Sequence, residues 1–545
     1  MKKVSTVLVE NLKRLGISHV FGIPGKAIVP LLVECEIQDL QFVLSRHESG
    51  SGFAAAGYAQ TKGLGVALGT SGPGGTNLLT SAGQAKAYHS PTLFITGQPS
   101  AKDTGKAQGQ DSSIFGTDLV RMFESVTLFS ARVDRGDQLE VFLKHAIEKA
   151  TNGVKGPVHL SIPMDVLQEE ISDFIVEIPT LKSSVISNQI ETVISKLNEA
   201  GKPVLLLGKG VHLSKAYKEV RWLVEQWQVP VMTTPGGKGT FPTNHPLSLG
   251  AYGLGGNEKA TKYLKKRVDQ MIVIGSKLSD MSLAGFSEAV YPKHLIHFDL
   301  DPTFIQKSIP IPTLYIQGDI KANLVEIQRK TKLDRIDIKR VSLFSEENEN
   351  LDDIQESETY LSAKVAIKEL RKYLPNDAVL FGDDGSHTFY AIKYYDIYEP
   401  GTFYFDDVFG TMGHAIGYSI GAKVASPDKT VVCLTGDGCT FMHGTEIATA
   451  VDQNLPVIFI VFNNVALDMV DKGMKKMLGH SIGATYQHAL DVKLFASSLG
   501  AASYRCRKTE DIENAIGQAL KNYTGPTVIE IMVDPEEIPP ILNRV

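Results

Sequence analysis

Short apolar runs recur along the chain, each broken by glycine, serine or aspartate and then followed by a stretch of helical length. In the first part, His19–Gly22, Phe42–Leu44, Gly65–Gly69, Thr92–Thr96 and Pro157–Ile162 read as strands, with helices such as Gly52–Thr61 and Asn77–Ala87 between them. Strands alternating with helices form parallel sheets, because each parallel pairing needs a crossover long enough to hold a helix. The rhythm restarts at Pro203–Leu207 and continues through Val229–Thr233, Met271–Ile274 and Leu295–Asp299. It restarts again at Ala378–Phe381 and continues through Val431–Leu434, Val457–Phe462 and Thr527–Ile531. The pattern predicts an α/β protein of three consecutive doubly wound parallel-sheet domains, over 1–170, 190–330 and 358–545. A stretch near 168–190 reads as a connection. Residues 328–357, dense in Lys, Asp, Glu and Asn, read as an exposed linker.

Composition narrows the class. A chain of 545 residues exceeds what one core holds, which agrees with several domains. A net charge of −6 gives no general attraction to nucleic acid or to an anionic membrane. No stretch reaches the roughly 20 apolar residues that span a bilayer. The four cysteines, Cys35, Cys433, Cys439 and Cys506, form no CxxC pair, and a reducing, cytoplasmic setting is expected.

The strongest chemical signal is Thr435-Gly436-Asp437-Gly438, reached from one apolar strand, and Asn463-Asn464, reached from the next. A separation of 27 positions between Asp437 and Asn464 fits neighbouring parallel strands joined by one helix. Both side chains then stand at carboxyl ends of strands, where open α/β sheets bind ligands. A carboxylate and an amide oxygen suit a hard cation such as Mg²⁺, and the carbonyl of Ala466 can add a third oxygen. A helix expected near Thr440 adds its positive end. The plain alternative is a turn aspartate and a strand-end asparagine, both common.

These motifs do not stand alone. The chain resembles the acetolactate synthase (acetohydroxyacid synthase) branch of the thiamine diphosphate enzymes across nearly its full length. The likeness is carried by Phe21-Gly22-Ile23-Pro24-Gly25, Arg46-His47-Glu48, Thr70-Ser71-Gly72-Pro73-Gly74, Gly97-Gln98, Gly116-Thr117-Asp118, Gly239-Thr240-Phe241-Pro242, Gly410-Thr411-Met412-Gly413 and the aspartate–asparagine motif. The resemblance implies that thiamine diphosphate binds with Mg²⁺ on Asp437, Asn464 and Ala466. It implies that Glu48 meets the cofactor's aminopyrimidine and shuttles the proton that activates the thiazolium. It implies that Met412 wedges under the cofactor, and that Gly382-Asp383-Asp384-Gly385-Ser386-His387 is a diphosphate loop. Further cofactor contacts are implied at Pro24, Gly72, Asn77, Ser386, His387, Gly410, Gly436, Gly438 and Met469. In isolation Ser71–Asn77 looks like a phosphate cradle, but it lacks the lysine of a P-loop; the resemblance places it at the pyrimidine end.

The reaction implied is decarboxylation of a 2-oxo acid, with pyruvate the expected donor, and condensation with a second carbonyl compound. The loop Asp103–Asp111 carries Gln108 and Gln110 where simple decarboxylases of the family carry histidines, which favours condensation. A plain decarboxylase or a C–C hydrolase remains the enzymatic alternative, and a non-catalytic relative the remote one. Two departures stand out. The tryptophan that shapes the acceptor pocket of biosynthetic members is missing after Asn464, since the only tryptophans are Trp222 and Trp227. His414 and His443 are unusual and read equally well as packing or as proton-handling groups. At Gly275–Met281 the arginines that pair with FAD in those members are absent, so no required FAD is expected. Gly208-Lys209-Gly210 and Gly253-Leu254-Gly255-Gly256 remain weak dinucleotide hints. The resemblance implies a homodimer at least, with a homotetramer expected, acting on small-molecule 2-oxo acids.

Overall fold

The computed structural model describes residues 1–178, 185–331 and 359–541. Most of the expected linker therefore lies outside the described residues, and its first part instead completes the helix Ile320–Lys330. Residues 179–184 of the expected connection also lie outside. The architecture is three consecutive α/β units, each built on a six-stranded sheet whose pairings are all parallel. A small antiparallel pairing of Lys2–Lys3 with Glu170–Ile171 closes the first unit.

The first sheet runs in the order Gln41–Leu44, His19–Gly22, Gly65–Gly69, Thr92–Gln98, Val158–Pro163, Ser130–Arg132. The third repeats that topology: Phe403–Phe405, Val379–Gly382, Val431–Gly436, Val457–Asn463, Thr527–Met532, Ala502–Cys506. The middle sheet differs, with Ser248–Ala251, Val231–Thr233, Pro203–Leu207, Gln270–Ile274, His294–Asp299, Thr313–Gln317. Each order reverses direction at one inner crevice, the first and third orders reversing again at their last strand, and such an inner crevice is where these sheets receive ligands. In the third sheet it lies between Val379–Gly382 and Val431–Gly436, and in the middle sheet between Pro203–Leu207 and Gln270–Ile274.

The expected strands all form, with small shifts at their ends. Besides the small Lys2–Lys3 and Glu170–Ile171 pair, five strands of the six-stranded sheets are ones the pattern does not predict: Ser130–Arg132, Ser248–Ala251, Thr313–Gln317, Phe403–Phe405 and Ala502–Cys506, every one a sheet edge. The helix expected near Thr440 starts at Asp437 itself, because the strand turns directly into the helix with Gly436 as N-cap.

The first and third units share one hydrophobic core. Its centre is the packing of helix Glu48–Lys62 against helix His414–Ala425, both rich in glycine and alanine. The backbones touch: a Cβ on Gly421 would stand 1.8 Å from the Ala54 carbonyl oxygen, and one on Gly57 2.1 Å from that of Tyr418. Any side chain there would force the helices apart. One of these helices opens at Glu48 and the other two residues after Met412.

Candidate active site

Strand Val431–Gly436 delivers Asp437 as the first residue of helix Asp437–His443. Strand Val457–Asn463 pairs beside it with Gly436 opposite Phe462, so Asp437 and Asn464 leave adjacent strand ends. Both line one cavity of about 120 Å³ at the third sheet's point of reversal. Ser386, His387, Met412, Gly436, Gly438, Ala466 and Met469 line it too. Asn463, the other asparagine of the pair, faces inward, where its Nδ2 donates to Glu530 Oε1 at 2.7 Å and to the Leu490 carbonyl at 2.9 Å.

Three helices, Ser386–Tyr394, Asp437–His443 and Asp468–Leu478, begin at this cavity. Their free N–H groups and aligned dipoles favour an anion. Yet five carboxyl groups, Asp384, Asp437, Asp468, Asp534 and Glu537, also face it. Asp437 Oδ1 accepts from the Gly438 N–H at 2.8 Å, whereas Oδ2 is buried without a partner. Burial pushes the Asp437 carboxyl up to about 7, against the backbone N–H groups of Gly438, Val465 and Ala466. Burial likewise raises Asp384 to about 6. It lowers His387 to about 4, leaving a neutral imidazole whose buried Nε2 is also without a partner.

Two details fix the walls. Val465, between Asn464 and Ala466, has φ of 62°, a left-handed conformation that a β-branched residue adopts only under strain. Its carbonyl accepts from the Tyr486 N–H at 3.0 Å, and the Leu467 N–H donates to the Ala484 carbonyl at 2.8 Å, so neighbouring chain holds the turn. Met412 packs on the Asp437 turn, its Cε 3.1 Å from where a Cβ on Gly438 would lie. Gly410, with φ of 69°, lies just before it and against Asp384.

The remaining expected residues gather on the first unit, outside that cavity. Glu48 Oε2 accepts from Asn77 Nδ2 at 2.9 Å. Gly72, with φ of 60°, receives Gln110 against its open face, and Ser71 Oγ donates to Gln110 Oε1 at 3.3 Å. Pro24 lies in the loop after His19–Gly22, a strand paired with Gly65–Gly69. Gln108 parts company with Gln110: its Nε2 donates to the Asp103 carbonyl at 2.8 Å, turning it back into its own loop.

Both unusual histidines pack against Phe53. Neither is among the residues that line the cavity. His414 Nδ1 donates to the Thr411 carbonyl at 2.6 Å and lies 3.2 Å from Asp383 Oδ1. Burial disfavours its charged form, but the Asp383 carboxylate outweighs this and holds the imidazole above its ordinary range. His443 stands edge-on to Phe53, ring centroids 5.4 Å apart. Among the cavity-lining groups, Asp468, Asp534 and Glu537 escaped the sequence reading. Only Asp468 carried a signal, as the first helical residue after the asparagine turn.

A second cavity, about 440 Å³, opens at the middle sheet's reversal, lined by Lys209, Gly275, Ser276, Lys277, Asp299 and Phe304 among others. The Gly208-Lys209-Gly210 hint is therefore located on a crevice. Lys209 is engaged there, its Nζ 2.8 Å from Asp406 Oδ1. The second hint fares differently, for the turn Gly253–Gly256 packs against Met281 and Phe389.

Three doubly wound units, the last with a carboxyl-lined, helix-ringed crevice where its strand order reverses, define an α/β protein with its candidate ligand site at the strand carboxyl ends. Family models agree along the chain: the thiamine pyrophosphate enzyme N-terminal TPP binding domain matches residues 2–119, the central domain 190–327 and the C-terminal TPP binding domain 383–531. The acetolactate synthase large subunit of Corynebacterium glutamicum is 32% identical over 96% of this chain and 86% of its own length. A probable acetolactate synthase large subunit of Methanococcus aeolicus is 30% identical, covering 97% and 91%. The acetolactate synthase isozyme 2 large subunit of Escherichia coli is 29% identical, covering 97% and 95%. The chain belongs to the thiamine pyrophosphate enzymes, in their acetolactate-synthase-like branch.

Proposed function

We propose that the protein decarboxylates a 2-oxo acid, pyruvate foremost, and joins the resulting two-carbon unit to a second carbonyl acceptor, using thiamine diphosphate and Mg²⁺. The observation that carries this is the buried, partnerless Asp437 Oδ2 facing the same cavity as Asn464 and Ala466. Five carboxyl groups around a diphosphate would repel it, whereas a divalent ion reconciles the two. An oxygen-only donor set of carboxylate, amide and carbonyl suits Mg²⁺. The three helix starts and the neutral His387 offer hydrogen-bond donors to phosphate oxygens.

When bound, thiamine diphosphate supplies an electron sink for the electrons left by departing carbon dioxide. The chain's own groups then have separate tasks. Asp437, Asn464 and Ala466 hold the metal, with Ser386, His387, Gly436 and Gly438 around the diphosphate. Met412 and Gly410 shape the cavity wall, and Met469 lines its far side. Glu48, steadied by Asn77, moves the proton at the aminopyrimidine nitrogen, with Pro24 and Gly72 in the adjoining loops. Gln110 rather than Gln108 is the better candidate to orient a substrate carboxylate or carbonyl, because only Gln110 lies against Gly72 and Ser71.

On this reading, 1–170 is the pyrimidine-binding unit, 190–330 the central unit and 358–545 the diphosphate-binding unit. Glu48 does not line the Asp437 cavity, which supports a homodimer in which the two halves of each site come from different subunits, and a homotetramer as its further assembly. No flavin is required: Lys209 is committed to Asp406, and Lys277 lies 5.8 Å over the Phe304 ring. The test is mass spectrometry of products from labelled pyruvate with a panel of 2-oxo acids and aldehydes, with and without FAD. Condensation products carrying the label support the proposal; acetaldehyde alone would overturn it.

A further inference from the structure

Glu446 lies on the run that opens at Asp437, continuing through Gly444–Glu446 into helix Ile447–Asp452. It is 2% exposed and reaches across to the first unit. Its Oε1 accepts from two consecutive backbone N–H groups, Arg46 at 2.9 Å and His47 at 2.8 Å. Its Oε2 accepts from Thr449 Oγ1 at 2.8 Å. The approach leaves no room: a Cβ on Gly50 would stand 2.2 Å from Glu446 Oε1. Arg46 adds its own contact to the same helix, pairing with Asp452. The two N–H groups belong to the chain just before helix Glu48–Lys62, with His47 as N-cap and Glu48 as first helical residue.

We infer that Glu446 is the positioning residue for Glu48, fixing through the Arg46 and His47 backbone where that carboxyl meets the cofactor. The inference rests on the proton-transfer role proposed for Glu48. A buried carboxylate accepting two N–H groups makes short, strong bonds, and the atoms it holds are the peptide units that aim Glu48. Asn77 restrains the Glu48 side chain from the first unit; Glu446 restrains its backbone from the third. Burial raises the Glu446 carboxyl, opposed by Thr449, the His47 and Arg46 N–H groups and the Arg46 charge. Displacement of a catalytic group by about 1 Å costs on the order of a hundredfold in rate.

The test compares Glu446→Gln, Glu446→Asp and Gly50→Ala with the parent, with Glu48→Gln as control. Four quantities are read: melting temperature, affinity for thiamine diphosphate with Mg²⁺ by calorimetry, the kcat and KM of product formation, and C2 proton exchange of the bound cofactor by quenched NMR. Glu446→Asp withdraws the carboxylate, Glu446→Gln removes its charge, and Gly50→Ala pushes it aside. The expected result is cofactor affinity near the parent's, little change in KM, and exchange and kcat falling together by roughly ten- to a hundredfold. Parent-like exchange in a folded variant would overturn the inference, as would a loss of kcat that tracks only lost cofactor. If the Glu446 variants do not fold, Gly50→Ala decides by the same readings. Normal exchange in Glu48→Gln would overturn the role of Glu48 itself; slow exchange there beside normal exchange in the Glu446 variants overturns only the positioning.

Discussion

Replacing Asp437 by asparagine is expected to stabilise the cofactor-free protein while weakening cofactor binding. The carboxyl is 3% exposed, one oxygen has no partner, and burial moves it from 3.8 to about 7. For an acid raised on folding, the folded state resists ionisation. The penalty is absent below pH 3.8, grows as pH rises toward about 7, and levels off above it. A shift of roughly three units at 1.36 kcal/mol each makes it about 4 kcal/mol at pH 8. Asparagine keeps an oxygen for the Gly438 N–H and carries no charge, so it removes most of that penalty. Because the first and third units share one core and melt together, each kcal/mol is worth roughly 1–2 °C. Melting of the cofactor-free variant at pH 8 should therefore rise by several degrees, and the gain should shrink as pH falls toward 4. Thiamine diphosphate with Mg²⁺ should add stability to the parent in proportion to ligand excess, and little to the variant, with calorimetric affinity reduced by about a hundredfold or more. A lower melting temperature in the cofactor-free variant, or unchanged Mg²⁺-dependent affinity, would refute the reasoning.

Other expectations test separate parts of the structure. Val465→Gly relieves backbone strain of about 1–3 kcal/mol but frees the unfolded chain by up to about 1, so cofactor-free melting should hold or rise; calorimetry should show weaker Mg²⁺-dependent binding, because the turn between Asn464 and Ala466 loosens. Glu48→Gln should bind the cofactor about as well as the parent and lower kcat by roughly 10²–10⁴. Lys209→Met leaves Asp406, which is fully buried, without its cation, and should cost about 3–5 kcal/mol in thermal or denaturant unfolding; adding Asp406→Asn should recover part of the loss, and strict additivity of the two would count against the pair. The purified protein should show no flavin absorbance, and added FAD should leave its turnover unchanged.

The sequence pattern gave up the sheet interiors and hid the edges. Val431–Gly436 and Pro203–Leu207 are buried along their whole length and read as unbroken apolar runs, as strands covered on both faces do. Ala502–Cys506, with its Ser-Tyr-Arg centre half-buried, and Ser130–Arg132 pair on one side only and keep polar residues facing water. Gln41–Leu44 is the one edge that was legible, and only from Phe42 onward. The same contrast governs the site. Asp437, Asn464 and Ala466 share a cavity because strand ends and crossover length are local properties that spacing can express. Gln108 and Gln110 could not be told apart, since which of them meets Gly72 depends on how an irregular loop folds back.

Glu446 shows why the least legible part of a site is sometimes what holds it together. Its contacts with Arg46 and His47 span about four hundred positions, and no local pattern marks them. They exist because Gly421 and Gly57 let two helices touch backbone to backbone, which brings the third unit's Asp437–Asp452 run under the first unit's Glu48 turn. A methyl group at Gly421 would therefore act at a distance: by parting the helices it would move Glu48 relative to Glu446 and Met412 relative to Gly438, although it touches none of them. Proton transfer and cofactor seating thus depend on one packing contact, and that contact is written in the sequence only as glycines in two helices where glycine is otherwise unfavourable.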